Sequence, residues 1–272
     1  MKARIITAVI LLPLLLLVLL FCPKIVAAVL LGLMAAIAAY ELAIGTGYVK
    51  SKGIGACCCF AAMITVLCCY FDLPDYCGIL LLLLLWILLF GWSMYTGMKL
   101  SFEAVAVCFA AGLLVPYLLA AIIRIYKADS GRVIVLIPFV LAFMSDTGAY
   151  FIGKAFGKHK LAPNISPKKT VEGVIGGVLG AVAGMLIFTA VLKHCFGYQV
   201  SYIYGVIYGA LGSVAAVFGD LCFSLIKRQR GIKDYGYLFP GHGGVLDRFD
   251  SMVIVAPLSE LMLIILPLAV KL

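Results

Sequence analysis

The residues able to do chemistry are crowded into a few polar stretches of a chain of 272 residues. The stretch KDYGYLFPGHGGVLDRFDS, Lys233 to Ser251, holds three Asp, a Lys, an Arg, a His and four Gly. Asp247 and Asp250 are three apart, so a helix beginning there would present both on one face. Gly241, Gly243 and Gly244 surround His242, and such a loop lets backbone amides approach phosphate oxygens. Just upstream, in VFGDLCFSLIKRQRGIKD, Asp220, Ser224 and Lys227 follow at four-residue and three-residue steps, a polar stripe along one helix face, with Arg228 next. In LAFMSDTGAYFIGKAFGKHK, Asp146, Tyr150 and Gly153 share a face in the same way. Lys154, Lys158, His159 and Lys160 follow, and then ISPKKTVEG. There Ser166 and Thr170 are candidate helix caps, and a helix start flanked by Lys168 and Lys169 is a good phosphate site. Carboxylates that hold a hard cation such as Mg²⁺, with Lys and Arg that hold phosphates, account for this mixture economically. Blander accounts exist for single parts: an Asp220–Lys227 pair, a capped helix, or loop cations for anionic headgroups. None of these accounts for the Asp, His and Gly of 233–251 together.

The elements that must position these groups are built for lipid. The chain is 65% hydrophobic and 12% charged, with a mean hydropathy of +1.19; a soluble domain carries about twice that charged fraction. Apolar runs long enough to cross a bilayer as helices lie at roughly 5–21, 25–45, 54–71, 77–97, 103–123, 133–153, 171–192, 203–226 and 252–270. The runs are continuous rather than alternating, which favours helices over a barrel. The expectation is an all-α polytopic membrane protein of about nine helices. The boundaries around 45–54 and 97–103 are the least marked. The first run is too long for a signal peptide, and Phe21-Cys22 is a poor cleavage site, so it is read as a retained helix. Gly173, Gly176, Gly177, Gly180 and Gly184 give overlapping GxxxG patterns, a close helix-packing signal. The ten Cys lie mostly inside apolar runs without metal-ligand spacing and read as small packing residues. Residues 1–130 hold few polar groups (Glu41 is the one acid inside a run) and read as scaffold, lipid groove or dimer surface; 131–272 reads as the catalytic half.

Charge sets the expected orientation. With nine spans, 15 of the 21 Lys and Arg fall on the side of the N-terminus. The positive-inside rule then places the N-terminus and both long polar loops in the cytoplasm.

The segment Ser224-x-Ile226-Lys227-Arg228-x4-Lys233-Asp234-x-Gly236-x2-Phe239-Pro240-x-His242-Gly243-Gly244-Val245-x-Asp247-Arg248-Phe249-Asp250 resembles the signature of the phosphatidate cytidylyltransferases, the CDP-diacylglycerol synthases, without departure. Asp146-x2-Ala149-Tyr150-x2-Gly153 and Ile165-Ser166-Pro167-x-Lys169-Thr170-x-Glu172-Gly173 are also similar to that family, so the motifs span about 140–251. Residues 1–130 resemble it only as hydrophobic helices. The resemblance implies transfer from CTP to phosphatidic acid, giving CDP-diacylglycerol and pyrophosphate in phospholipid synthesis. It also implies a Mg²⁺-dependent homodimeric enzyme, here placed in a bacterial cytoplasmic membrane with its site facing the cytoplasm.

On this reading Asp220 and Asp247 are the first metal candidates, then Asp250 and Asp146. Lys227, Arg228, Lys233 and Arg248 bind CTP or lipid phosphate, with Asp220, Asp247, Lys227 and Arg248 closest to the chemistry. Ser166, Lys168, Lys169 and Thr170 form a second phosphate contact, joined by Ser224. His242 is a phosphate or nucleotide contact, and Gly243 and Gly244 shape the loop. A transporter is the rival from another class, since intramembrane acids can relay ions; the one-sided polar residues and the lack of a repeat relating the halves oppose it. A related enzyme using another lipid phosphate acceptor is the nearer rival. The D-G-x2-A-R pattern of the CDP-alcohol phosphotransferases is absent.

Overall fold

The computed structural model describes residues 17–128, 131–238 and 243–271. Among them are seven helices long and apolar enough to cross a membrane: α1 Lys24–Gly45, α2 Lys52–Phe71, α3 Asp75–Tyr95, α4 Phe102–Lys127, α5 Gly131–Phe156, α6 Val171–Phe196 and α7 Tyr202–Gln229. The chain is an integral membrane protein by this count and composition. Most of the first expected run lies outside the described residues, with 17–21 helical. The last run forms a shorter helix than expected: after the short α8, Leu246–Phe249, comes α9, Met252–Ile265. Among the described residues, four short strands depart from a purely helical expectation. β1, Lys160–Ala162, pairs antiparallel with β2, Ser166–Thr170, and β3, Tyr198–Val200, pairs antiparallel with β4, Ala269–Lys271.

The chain forms two compact units. One takes in the N-terminal helices to Lys127 together with Gln229–Phe249; the other is Ala128–Arg228 with Asp250–Leu272. The polar loop at 229–249 therefore folds with the helices that looked like plain scaffold.

In the first unit the helices run up and down. Their ends meet where Lys24 Nζ donates to the Lys127 carbonyl at 3.1 Å and Lys127 pairs with Asp72. At the other end, α1 closes in a π-helical turn, Glu41–Gly45. π-Turns inside α-helices recur at functional sites. The connections at 46–51 and 96–101 fall where the sequence marked its weakest boundaries.

In the second unit α5 and α6 touch through glycine, as the GxxxG patterns predict. A Cβ on Gly180 would lie 2.6 Å from the Met144 carbonyl oxygen, and one on Gly177 would lie 3.1 Å from that of Ser145. Backbones this close leave no room for side chains, and van der Waals contact then takes the place of the hydrophobic drive that lipid cannot supply. Ser145 and Ser213 hydroxyls, buried between α5 and α7, share a hydrogen bond at 2.7 Å.

Candidate active site

The second unit gathers most of the expected groups at one end of its helices. Asp220 sits on α7 one turn before Ser224, whose hydroxyl donates to Asp220 Oδ1 at 3.1 Å, as the four-residue spacing predicts. Its ion pair, however, is with Lys169 Nζ at 2.5 Å rather than with Lys227 alone. Lys169 reaches it because Ser166–Thr170 is strand β2, paired back on β1 with Lys160 opposite Thr170 and Ala162 opposite Ser166. This corrects the reading of Ser166 as a helix cap: Pro167 has no N–H to offer a helix, and the extended strand delays the helix to Val171. Thr170 alone caps α6, its hydroxyl accepting from the Gly173 N–H at 3.1 Å. Glu172 in the first turn accepts from the backbone N–H groups of Lys158 and His159 and pairs with the His159 ring at 2.6 Å. Lys168 is exposed, and Arg228 donates from Nε to the Ile165 carbonyl at 3.1 Å, tying the end of α7 to the β1–β2 turn.

Lys227 is buried, 8% exposed, and lies close enough to act on both Asp220 and Asp250. Asp250 stands in the turn between α8 and α9, so one continuous helix face carrying Asp247 and Asp250 does not form. The physical reason is local: Asp250 Oδ1 accepts from the next backbone N–H, Ser251, at 2.7 Å, a bond that competes with helix propagation. Burial first, and the Asp220 carboxylate second, push the Asp250 carboxyl up to about 8, with Asp146 adding in the same direction. Asp146 is thus brought into the same electrostatic neighbourhood from α5. A buried acid whose ionisation is opposed by two neighbouring acids is a natural place for a cation. Among the described residues, no three His, Cys, Asp or Glu side chains converge as a closed metal site. An open site of one or two carboxylates completed by substrate phosphates is the arrangement Mg²⁺ favours.

The first unit holds the glycine loop and Asp247. Asp247 is 6% exposed, and its Oδ2 accepts from the backbone N–H groups of Tyr235 at 2.7 Å and Gly244 at 3.0 Å. It pins the two ends of the loop together. Gly243 adopts φ +81°, a conformation other residues reach only with strain, and Arg248 and Lys233 are exposed. His242 and Gly241 lie outside the described residues.

Sequence reasoning left Glu41 with the scaffold. It is 5% exposed, and its two carboxylate oxygens accept from Val245 N–H at 3.0 Å and Leu246 N–H at 2.8 Å. The available signal was an acid placed well inside an apolar run, an expensive position that usually marks function. Arg230 extends the grip: its Nε donates to the Thr46 carbonyl at 3.0 Å, and its guanidinium lies 4.2 Å from the Tyr48 ring centre.

A family profile described as "Cytidylyltransferase family" matches residues 2–266. The chain belongs to the cytidylyltransferase family. It is 36% identical over 277 residues to the phosphatidate cytidylyltransferase of Pseudomonas aeruginosa, covering 97% of each chain. It is 34% identical to the enzyme of that name from Staphylococcus saprophyticus, over 65% of this chain and 66% of the relative. The corresponding figure for the Bacillus subtilis protein is 43%, over 43% of this chain and 42% of the relative. These partial matches span two thirds or less of the relatives' lengths, whereas the Pseudomonas match is nearly end to end. For the family, then, the helices before residue 130 belong to the alignment as much as the polar motifs do.

Proposed function

We infer that the chain is a phosphatidate cytidylyltransferase, converting CTP and phosphatidic acid to CDP-diacylglycerol and pyrophosphate in phospholipid synthesis. The observation that carries the reading is the cluster of Asp220, Lys169, Ser224, Lys227 and Asp250 at the end of a membrane-spanning helix, in a chain matched to the family over nearly its whole length. A nucleotide, pyrophosphate and a lipid headgroup are the ligands that such a mix of acids and cations suits. Only a membrane-embedded site meets a substrate and a product that stay in the bilayer.

The phosphate of phosphatidic acid attacks the α-phosphorus of CTP in line. The new P–O bond forms as the bond from the α-phosphorus to the bridging oxygen breaks, and pyrophosphate leaves with that electron pair. A phosphomonoester with a second pKa near 6 is largely dianionic at neutral pH, so the attack needs no general base. The protein's work is positioning two polyanions and stabilising charge. Lys169 and Lys227 supply fixed positive charge, with Lys168 and Arg228 exposed in the same unit for phosphate oxygens; Lys233 and Arg248, exposed in the first unit, are assigned to phosphate binding as well. Asp220 and Asp250, with Asp146 near them, would hold Mg²⁺; when bound, the ion neutralises phosphate charge and favours departure of pyrophosphate. Asp247 is assigned first to shaping the loop and second to the metal. Thr170 acts through the helix start it caps, Ser166 on strand β2 is assigned to phosphate contact, and Gly243, Gly244 and His242 contribute the nucleotide-facing loop. The enzyme is further assigned to the bacterial cytoplasmic membrane as a homodimer, its site facing the cytoplasm, an orientation supported by the 15 of 21 cations that nine spans would place on one side.

The test uses purified full-length protein with labelled CTP, phosphatidic acid and Mg²⁺. Label entering the lipid phase only when all three are present supports the reading. No incorporation by folded, lipid-supplied protein overturns it.

A further inference from the structure

Glu41 is buried on a stretch of α1 where Ala38, Ala39, Leu42 and Ala43 are nearly inaccessible as well. A charge in such a setting is expensive and persists where hydrogen bonds compensate it. The compensation comes from residues 204 and 205 positions later: Oε1 accepts from Val245 N–H and Oε2 from Leu246 N–H. Two successive amides of the signature segment are thereby held by one side chain of the first described membrane helix.

The glycines around the loop fit this contact. A Cβ on Gly244 or on Gly236 would fall inside the Glu41 carboxylate, and a Cβ on Gly45 would stand 2.5 Å from the Tyr235 carbonyl oxygen. Gly244, which the sequence assigned to close approach by a ligand, and Gly236 are therefore required for close approach by Glu41. Asp247, accepting from Tyr235 and Gly244, closes the same small assembly. Two carboxylates hold four backbone amides, and the path from Tyr235 to Asp247 is fixed at both ends.

We propose that Glu41 is a positioning residue of the cytidylyl-transfer site, fixing the Val245–Leu246 backbone so that the Gly243–Asp247 segment is preset for the CTP phosphates. Both carboxylate oxygens are taken up by the loop, so Glu41 acts through it and not on the substrate. This inference rests on the cytidylyltransferase reading, with an activity-independent readout to separate the two. Glu41→Gln puts an NH₂ where one of two N–H donors needs an acceptor, and Glu41→Asp withdraws the carboxylate by one methylene.

The experiment measures steady-state kinetics and trypsin cleavage of full-length protein in lipid-supplemented detergent. Loss of a charge-assisted hydrogen bond predicts a KM for CTP raised about tenfold to a hundredfold in Glu41→Gln. The KM for phosphatidic acid should stay within about twofold, because the Val245–Leu246 contact bears on the nucleotide loop. Cleavage after Arg230 and Lys233 should accelerate in the same variant whether or not the enzyme turns over CTP. Gly244→Ala should reproduce both effects, and should add little in a Glu41→Ala background, where the overlap is gone. Wild-type-like KM for CTP and wild-type cleavage in a folded Glu41→Gln protein would overturn the proposal. So would strictly additive effects of Gly244→Ala and Glu41→Ala. Faster cleavage in a protein that never incorporates CTP would support the anchoring and sink the proposed reaction instead.

Discussion

Lys169, at the end of a β-strand, and Asp220, fifty-one residues later on a membrane helix, form an ion pair at 2.5 Å. About a quarter of the Lys169 side chain and a third of the Asp220 side chain remain accessible. Neither group is sealed away, so both can meet a ligand that enters there. Lys169→Met should lower kcat/KM by about a hundredfold or more, the cost of losing one preorganised electrostatic contact to a developing charge. The Lys169→Met, Asp220→Asn double variant should be little worse than Asp220→Asn, because the two act as a unit. Initial rates of CTP incorporation measure both. Multiplying losses would show that the residues serve separate steps.

Asp250 ties stability to pH and to metal. Its ordinary value is 3.8 and the folded value is about 8, so the folded protein retains a proton that the unfolded chain has lost between those limits. Stability contributed by that proton is present at the acid end and declines as pH rises through the window, the reverse of a salt-bridged carboxylate. Burial is the main cause of the raised value, and repulsion from Asp220 and Asp146 adds to it; a divalent cation bound there would offset both by stabilising the ionised carboxylate. Mg²⁺ should therefore raise the melting temperature more at pH 8 than at pH 5. Thermal denaturation in detergent, with and without Mg²⁺ across that range, reads the difference, and Asp250→Asn should flatten it.

Helix packing gives a prediction independent of activity. Gly180→Val drives side-chain atoms into the Met144 carbonyl, and overpacking of this kind costs about 1–3 kcal/mol. Gly78 in α3 has nothing within 4 Å of its missing Cβ. Gly78→Ala should be neutral or stabilising by up to about 1 kcal/mol, through helix propensity. Equal destabilisation by the two would show that the α5–α6 contact carries no special weight.

The membrane helices were legible in the sequence because their signal is local: twenty apolar residues in a row need no partner to be recognised. The packing face of α6 was legible for a similar reason, since small residues spaced by four mark it, though not that α5 would fill it. The Ser224–Asp220 bond followed from helical spacing alone. What spacing does not reveal is which distant cation answers an acid. Lys227 was the neighbour along α7, but strand β2 delivers Lys169, and a five-residue strand inside a basic loop leaves almost no periodic trace. Glu41 was hidden for the complementary reason: its partners are backbone amides, which every residue has, at the far end of the chain. The Asp247–Asp250 face failed because one side-chain bond, Asp250 to Ser251 N–H, ends the helix between them.

Thr170 separates a cap from a substrate contact. It is buried, 6% exposed, and its hydroxyl accepts from Gly173 N–H at the start of α6. Its methyl and hydroxyl also pack where Gly153 and Gly157 pass, close enough that a Cβ on Gly157 would meet Thr170 Oγ1 at 2.9 Å. Thr170→Ser keeps the acceptor and should keep both stability and turnover near wild type. Thr170→Val keeps the shape and loses the acceptor, at a cost of about 1 kcal/mol in stability. Lys169 is the preceding residue, so loosening the cap should also move its ammonium group and lower kcat, though by less than Lys169→Met does. Melting temperature and kcat measured together decide the role. A Val variant that melts normally yet loses CTP affinity as strongly as Lys169→Met would make Thr170 a direct substrate contact and not a cap.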